Sequence, residues 1–155
     1  MKDRIAQIVT TFFGLGYFPF AAGSIASAVG GVAAYCLKGE PLVYIAIFLV
    51  VTAAGFAFSS RMEKVAGEKD PSCIVIDEVS GAMIAFFMLP MSWPVFWTTF
   101  FVFRAFDMCK IYPADVYEQK PGAVGVMSDD IIAGIYTNII MHASIYCVVS
   151  LYHSC

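Results

Sequence analysis

The chain has 155 residues, of which 60% are hydrophobic and 14% charged, with a formal net charge of −3. Soluble domains carry about 25% charged residues, so a water-soluble fold this small could not hide that much apolar surface, and disorder needs the opposite composition. With no basic run to hold phosphate backbones, nucleic acid is excluded as a partner, which leaves a small all-α integral membrane protein, one domain over residues 1–155.

The elements follow in chain order. Ile5, Ile8, Val9 and Phe12 stand at i, i+3, i+4 and i+7 behind Lys2 and Arg4, which predicts an N-terminal interfacial helix. The same opening resembles a signal peptide ending at Ala26-Ser27-Ala28, but Gln7, Thr10, Thr11, two glycines and a proline interrupt its apolar part. An uncleaved helix is therefore expected. Residues 14–24, Gly-Leu-Gly-Tyr-Phe-Pro-Phe-Ala-Ala-Gly-Ser, form a glycine-rich turn feeding a helix. Its N–H groups suit an anion, with Ser24 as N-cap or phosphate ligand; it reads equally well as a helix breaker. The first span is expected over about residues 21–37. There Gly23, Ser27 and Gly31 recur every fourth residue, as do Ala26, Gly30 and Ala34, a stripe that predicts close helix packing.

Residues 41–60 and 131–155 are free of charge and each fits one membrane helix. Residues 79–103 are charge-free too, but Pro90 and Pro94 interrupt them near the middle, so a helical hairpin is expected there. The total is about four to five membrane-embedded helices. With the N-terminus in the cytoplasm, eight of the nine lysines and arginines lie inside and only Lys38 outside.

The acids then gather on the cytoplasmic side: Asp70, Asp77 and Glu78, Asp107, and Asp129 with Asp130. Two antiparallel hairpin arms would hold Asp77, Glu78, Arg104 and Asp107 at one height, roughly 20 Å from the outer turn at 1.5 Å per residue. Ionisable groups at such depth are costly and mark function. Arg104, Asp107 and Lys110, spaced by three, share a helix face approximately. Two cations beside an acid suit a phosphate, and many carboxylates suit magnesium. The cysteines form no C-x-x-C pair. Asn138 and His142 stand four apart inside the last helix and are expected to hydrogen-bond across helices.

Four strings, GLGYFPFAAGS (14–24), DPSCIVIDEVSG (70–81), FRAFDMCKIYP (103–113) and GAVGVMSDDIIAG (122–134), resemble the phosphatidylglycerophosphatase A family over nearly the whole chain. The resemblance implies a magnesium-dependent phosphatase of the bacterial inner membrane. Its site would face the cytoplasm and convert phosphatidylglycerophosphate to phosphatidylglycerol and phosphate. It implies Asp70, Asp77, Glu78, Asp107, Asp129 and Asp130 as metal ligands. Arg104 and Lys110 would bind phosphate, alongside Gly14, Gly16, Gly23 and Ser24 of the opening. Asp77, Glu78, Arg104, Asp107, Lys110 and Asp130 would be the catalytic set. The family pattern has proline where Ala22 and Ile111 stand, threonine at Ser24 and glycine at Ala123, which leaves the loop backbone near the site open. Asp115 and Glu118 lie outside the motif acids and are expected to be dispensable. There is no D-x-D-x-[TV] nucleophile string, which favours water as the attacking group. A carboxylate-lined cation transporter or channel subunit is the alternative.

Overall fold

A computed structural model describes residues 1–153; Cys155 lies outside the described residues. Among those residues there are seven α-helices and no strand: α1 (Lys2–Thr10), α2 (Ala22–Cys36), α3 (Pro41–Ala66), α4 (Ile76–Phe86), α5 (Trp93–Cys109), α6 (Ala114–Glu118) and α7 (Ala123–His153). A short 3-10 turn, Leu15–Tyr17, lies between α1 and α2.

Local chemistry sets the boundaries. Pro41 opens α3 in the first turn, where its missing N–H costs nothing, and Gly67 closes it at φ 76°. The expected hairpin is α4 and α5, reversed by the proline-containing residues 87–92. The last helix differs from the expectation. It begins at Ala123, well before the charge-free run, and so carries Asp129 and Asp130 inside a helix. Helix α6 was not expected.

Helix α4 is the hub. Nine of its eleven residues are buried, and it packs chiefly on α7 and α2. Small residues permit the approach: a Cβ on Gly30 would strike Ala82 and the Val79 carbonyl, and one on Gly134 would strike the Gly81 carbonyl. The small-residue stripe of α2 thus serves packing, as its period predicts. Val75, Val79, Met83, Phe86, Phe96 and Phe103 fill the core around it.

Two helices, α3 and the Ala123–Leu151 part of α7, are long and apolar enough to cross a membrane. Only 17% and 22% of their most apolar stretches are buried, whereas the core helix of a soluble protein would be mostly covered. Helices α2, α4 and α5, with 15, 11 and 17 residues, fall short of the roughly 20 residues that a span needs. The expected four to five embedded helices thus resolve into two of spanning length and three shorter ones.

A helix as short as α4 ends where carbonyls need donors. Tyr44 Oη from α3 donates to the Met83 carbonyl. From α7, Asn138 Nδ2 donates to Ala85 O at 3.2 Å and Phe87 O at 2.8 Å, and His142 Nε2 lies 3.2 Å from Phe87 O. The Asn138 and His142 pair does what the sequence led us to expect. Asn138→Leu should leave the Ala85 carbonyl without its side-chain donor and Phe87 O with His142 alone, and destabilise the fold by about 1–3 kcal/mol. Thermal unfolding in detergent would register this as a lowered Tm, with a smaller drop for His142→Ala, whose acceptor Asn138 also serves.

Candidate active site

The site forms where the first turn of α4 meets α2, α5 and α7. The chain enters α4 from a loop pinned by the Val75 N–H, which donates to Thr10 O at 2.9 Å. That turn carries Asp77 and Glu78. Asp77 Oδ1 accepts the Glu78 N–H at 3.1 Å. A Cβ on Gly81 would strike the Asp130 backbone, so α7 comes close enough to present Asp130 to both acids. One carboxylate oxygen from each of Asp77, Glu78 and Asp130 lies within 4.8 Å of the others. Asp77 and Asp130 are buried, 7% and 3% exposed.

Among the described residues, Glu78 Oε2, Asp129 Oδ1 and Asp130 Oδ1 are buried without a hydrogen-bond partner. Bare carboxylate oxygens out of water are costly and call for a cation. Three acids offering hard oxygen ligands, with unpartnered oxygens among them, fit a magnesium-type ion.

The cations stand in two places. Arg104 Nη1 donates to Asp107 Oδ2 one turn on along α5, and lies 3.5 Å from Ser27 Oγ of α2. Ser27 Oγ in turn donates to Gly23 O at 2.8 Å. A Cβ on Gly23 would fall on Glu78 Oε1 and lie 3.5 Å from Arg104 Nη1. The opening of α2 therefore lies directly against the acid and the guanidinium. Lys110 does not continue the face of Arg104 and Asp107. Helix α5 ends at Cys109, and Lys110 caps it in a left-handed conformation, φ 43°. Its Nζ donates to Glu118 Oε1 at 2.6 Å and to Asp129 Oδ2 at 3.0 Å. Partial burial works against its charge, but the two carboxylates outweigh that and hold the ammonium above its ordinary pKa. Asp70 lies at the loop surface. Desolvation by the surrounding protein and then the Asp129 charge push its carboxyl up to about 6, against the pull of Lys110.

The structure thus brings Asp77, Glu78, Asp130, Arg104, Asp107 and Gly23 together, and sets Asp129 and Lys110 beside them with Asp70 in electrostatic reach. Ser24 is not the N-cap. Ala21 holds that position at φ 50°, and Ser24 is the third residue of α2. Gly14 is exposed at φ 91°, its N–H on Thr11 Oγ1, so it shapes the turn. Gly16 seats that turn against the Cys73 carbonyl. Ala22 is the first residue of α2 and follows Ala21 in a left-handed conformation, which a proline at position 22 would disfavour, so the departure from the family pattern goes with this local backbone. Two residues escaped the sequence reading. Ser27 was assigned to packing alone. Glu118, expected to be dispensable, is an ion-pair partner of Lys110, and only the turn through α6 brings them together.

The chain is therefore a small helical protein with a buried centre of carboxylates, an arginine and a lysine among four packed helices. Comparison with known proteins gives the class a name. Residues 8–145 match the family described as phosphatidylglycerophosphatase A, and the chain belongs to it: a family of lipid phosphatases. Three relatives are similar along most of their length. One from Bacteroides thetaiotaomicron, named "Putative phosphatidylinositol-3-phosphatase", is 35% identical over 86% of this chain and 89% of its own. The phosphatidylglycerophosphatase A of Haemophilus influenzae is 33% identical over 90% and 88%. That of Escherichia coli is 29% identical over 83% and 77%. No solved structure matches the chain.

Gly23 gives a test of the geometry. In Gly23→Ala the added methyl meets side-chain ends rather than backbone, so the fold should survive while Glu78 and Arg104 move apart. A displacement near 1 Å at reacting groups costs on the order of 10²-fold in rate. Phosphatase turnover should fall by that order with Tm unchanged.

Proposed function

We propose that the chain hydrolyses phosphatidylglycerophosphate to phosphatidylglycerol and inorganic phosphate, as a single magnesium-dependent domain in a bacterial inner membrane with its site toward the cytoplasm. The observation that carries this reading is the meeting of buried Asp77 and Asp130 with half-buried Glu78 within 4.8 Å, partly unpartnered, with Glu78 and Arg104 both against Gly23. Asp77, Glu78 and Asp130 would hold the ion, with Asp70, Asp107 and Asp129 around it. When bound, magnesium supplies Lewis-acid polarisation of phosphoryl oxygens and a more acidic water.

The chain's own groups do the rest. Arg104 is the bidentate donor for the phosphoryl oxygens, where charge accumulates as the ester bond breaks. Asp107 and Ser27 both accept from its Nη1, which leaves the other guanidinium N–H groups for phosphate. Lys110 spends two of its three N–H donors on Glu118 and Asp129, leaving one for a phosphate oxygen. Gly23 lets the first turn of α2, which also carries Ser24, close directly onto Glu78 and Arg104, and Gly14 and Gly16 shape the turn before it. The eight-to-one lysine and arginine bias supports the cytoplasmic orientation.

The relative from Bacteroides thetaiotaomicron supports a second headgroup, an inositol 3-phosphate lipid. Both substrates are phosphate monoesters on a lipid, and the same residues would serve either. The comparisons lend no support to a cation transporter.

Phosphate release from the detergent-purified protein tests the reading. Magnesium should be required, chelation should abolish release, and the glycerophosphate lipid should turn over faster than the inositol one. No release from either lipid would overturn it. Asp107→Asn should lower turnover roughly 10²–10³-fold with folding intact, while Asp115→Asn should leave it unchanged. Glu118→Gln should raise KM by loosening Lys110, a revision of the role read from sequence.

Orientation is checked separately. In a cysteine-free background, a cysteine at Lys38 should react with an impermeant reagent in intact cells, and one at Lys120 should not. The reverse pattern would place the site outside.

A further inference from the structure

Helix α1 is turned inside out for a helix of a soluble fold. It buries its small residues, Ala6 and Thr10, and leaves Ile5 and Ile8 exposed at 42% and 51%. The turn that follows exposes Phe13, Tyr17, Phe18 and Phe20, with Phe13 at 83% and Phe20 at 77%. Asp3, the acid of α1, is held by Arg61 at 2.8 Å, and Lys2 and Arg4 on the same helix are exposed.

Two contacts fix the depth of this segment. Arg61 is the first charge after the uncharged residues 41–60 of α3, so the Asp3–Arg61 pair marks the edge of the apolar stretch. At the other end of α1, Thr10 O accepts the Val75 N–H immediately before α4. From Asp3 to Thr10 the helix rises roughly 10 Å. Helix α3 gives the same figure independently. Gly55 faces Ile76 and Met127, and it lies six residues, about 9 Å, inside Arg61. The aromatic turn that follows Thr10 therefore starts at the level of the first turn of α4, in the 5–10 Å zone where amphipathic segments lodge between headgroups and acyl chains.

We infer that residues 12–20, with the outward face of α1, form a lip seated in the headgroup boundary of an anionic leaflet, which sets the Glu78–Arg104 edge of the site at the depth of bilayer-held headgroups. The occupant is lipid rather than a protein. Helix α1 packs on α3, whose most apolar stretch is only 17% buried, Lys2 and Arg4 match anionic headgroups, and aromatic side chains favour this depth. The inference rests on the lipid-phosphatase reading for its substrate, but not for its lipid contact.

Two measurements test it on the full chain in vesicles containing phosphatidylglycerol. In Phe18→Trp, brominated lipids labelled near the carbonyl end should quench the new tryptophan more than lipids labelled at the tail, after subtracting the signal of Trp93 and Trp97 in the parent. Absence of shallow quenching would overturn the lip. In Phe13→Ser with Phe20→Ser, the apparent KM for bilayer-held lipid phosphate, in mole fraction, should rise about tenfold. Both side chains are exposed, so hydrolysis of a short-chain analogue monomeric in detergent should not change. Unchanged KM on vesicles, or an equal loss on both substrates, would also overturn it. If the parent protein hydrolysed neither substrate, the phosphatase reading would fail, while the quenching would still decide the lip.

Discussion

The structure is organised around carboxylates that are buried without donors. Glu78, Asp129 and Asp130 each keep an oxygen that no group among the described residues satisfies. Like charges crowded in a low-dielectric setting repel, so this arrangement has to be imposed by packing. Packing is what Gly81, Gly134 and Gly30 supply: they let α7 and α2 approach α4 closely, and at Gly81 this brings Asp130 up to the acids of α4. The same contacts that build the core therefore gather the carboxylates that could hold a cation.

The hub helix is itself unusual. Helix α4 has eleven residues, enough for roughly half a membrane thickness. Its first turn carries the acids, and its last turn is completed by Tyr44, Asn138 and His142 from its neighbours. A longer helix would have carried its own hydrogen bonds further, but would have moved either the site or the turn. A helix cut to this length needs side chains from outside to finish it. That explains polar groups in otherwise apolar stretches of α3 and α7, away from the acids.

Much of this was legible in the sequence, for identifiable reasons. Charge-free runs located α3 and the hairpin because the cost of desolvating a charge acts residue by residue. The common height of Asp77, Glu78, Arg104 and Asp107 followed from the fixed rise of a helix and the proline break at Pro90 and Pro94. The pairing of Asn138 and His142 with a neighbouring helix followed from the need to satisfy polar groups in an apolar setting. What could not be read depended on where chain direction changes. Lys110 left the face of Arg104 because α5 ends one residue earlier, and Glu118 reached it only through α6. Ser24 looked like a cap because its side chain suits one, while the backbone placed the cap at Ala21. The start of α7 was missed because charge marks where an apolar run begins, not where a helix begins.

Helix α7 bears both on the acids and on the far end of α4, through Asp129 and Asp130 at one level and Asn138 and His142 at another. It runs between them without a break. The two levels are therefore held in fixed phase by a single rod. Removing one residue between Gly134 and Thr137 would turn everything beyond by about 100° and draw it back by about 1.5 Å, so the cap of α4 and the carboxylates could no longer both be in place. Substitutions along this stretch act locally, but a change of length acts on both ends at once. In chains of this fold, insertions and deletions should collect in the turns around α6 and residues 87–92, and residues 129–142 of α7 should keep constant length.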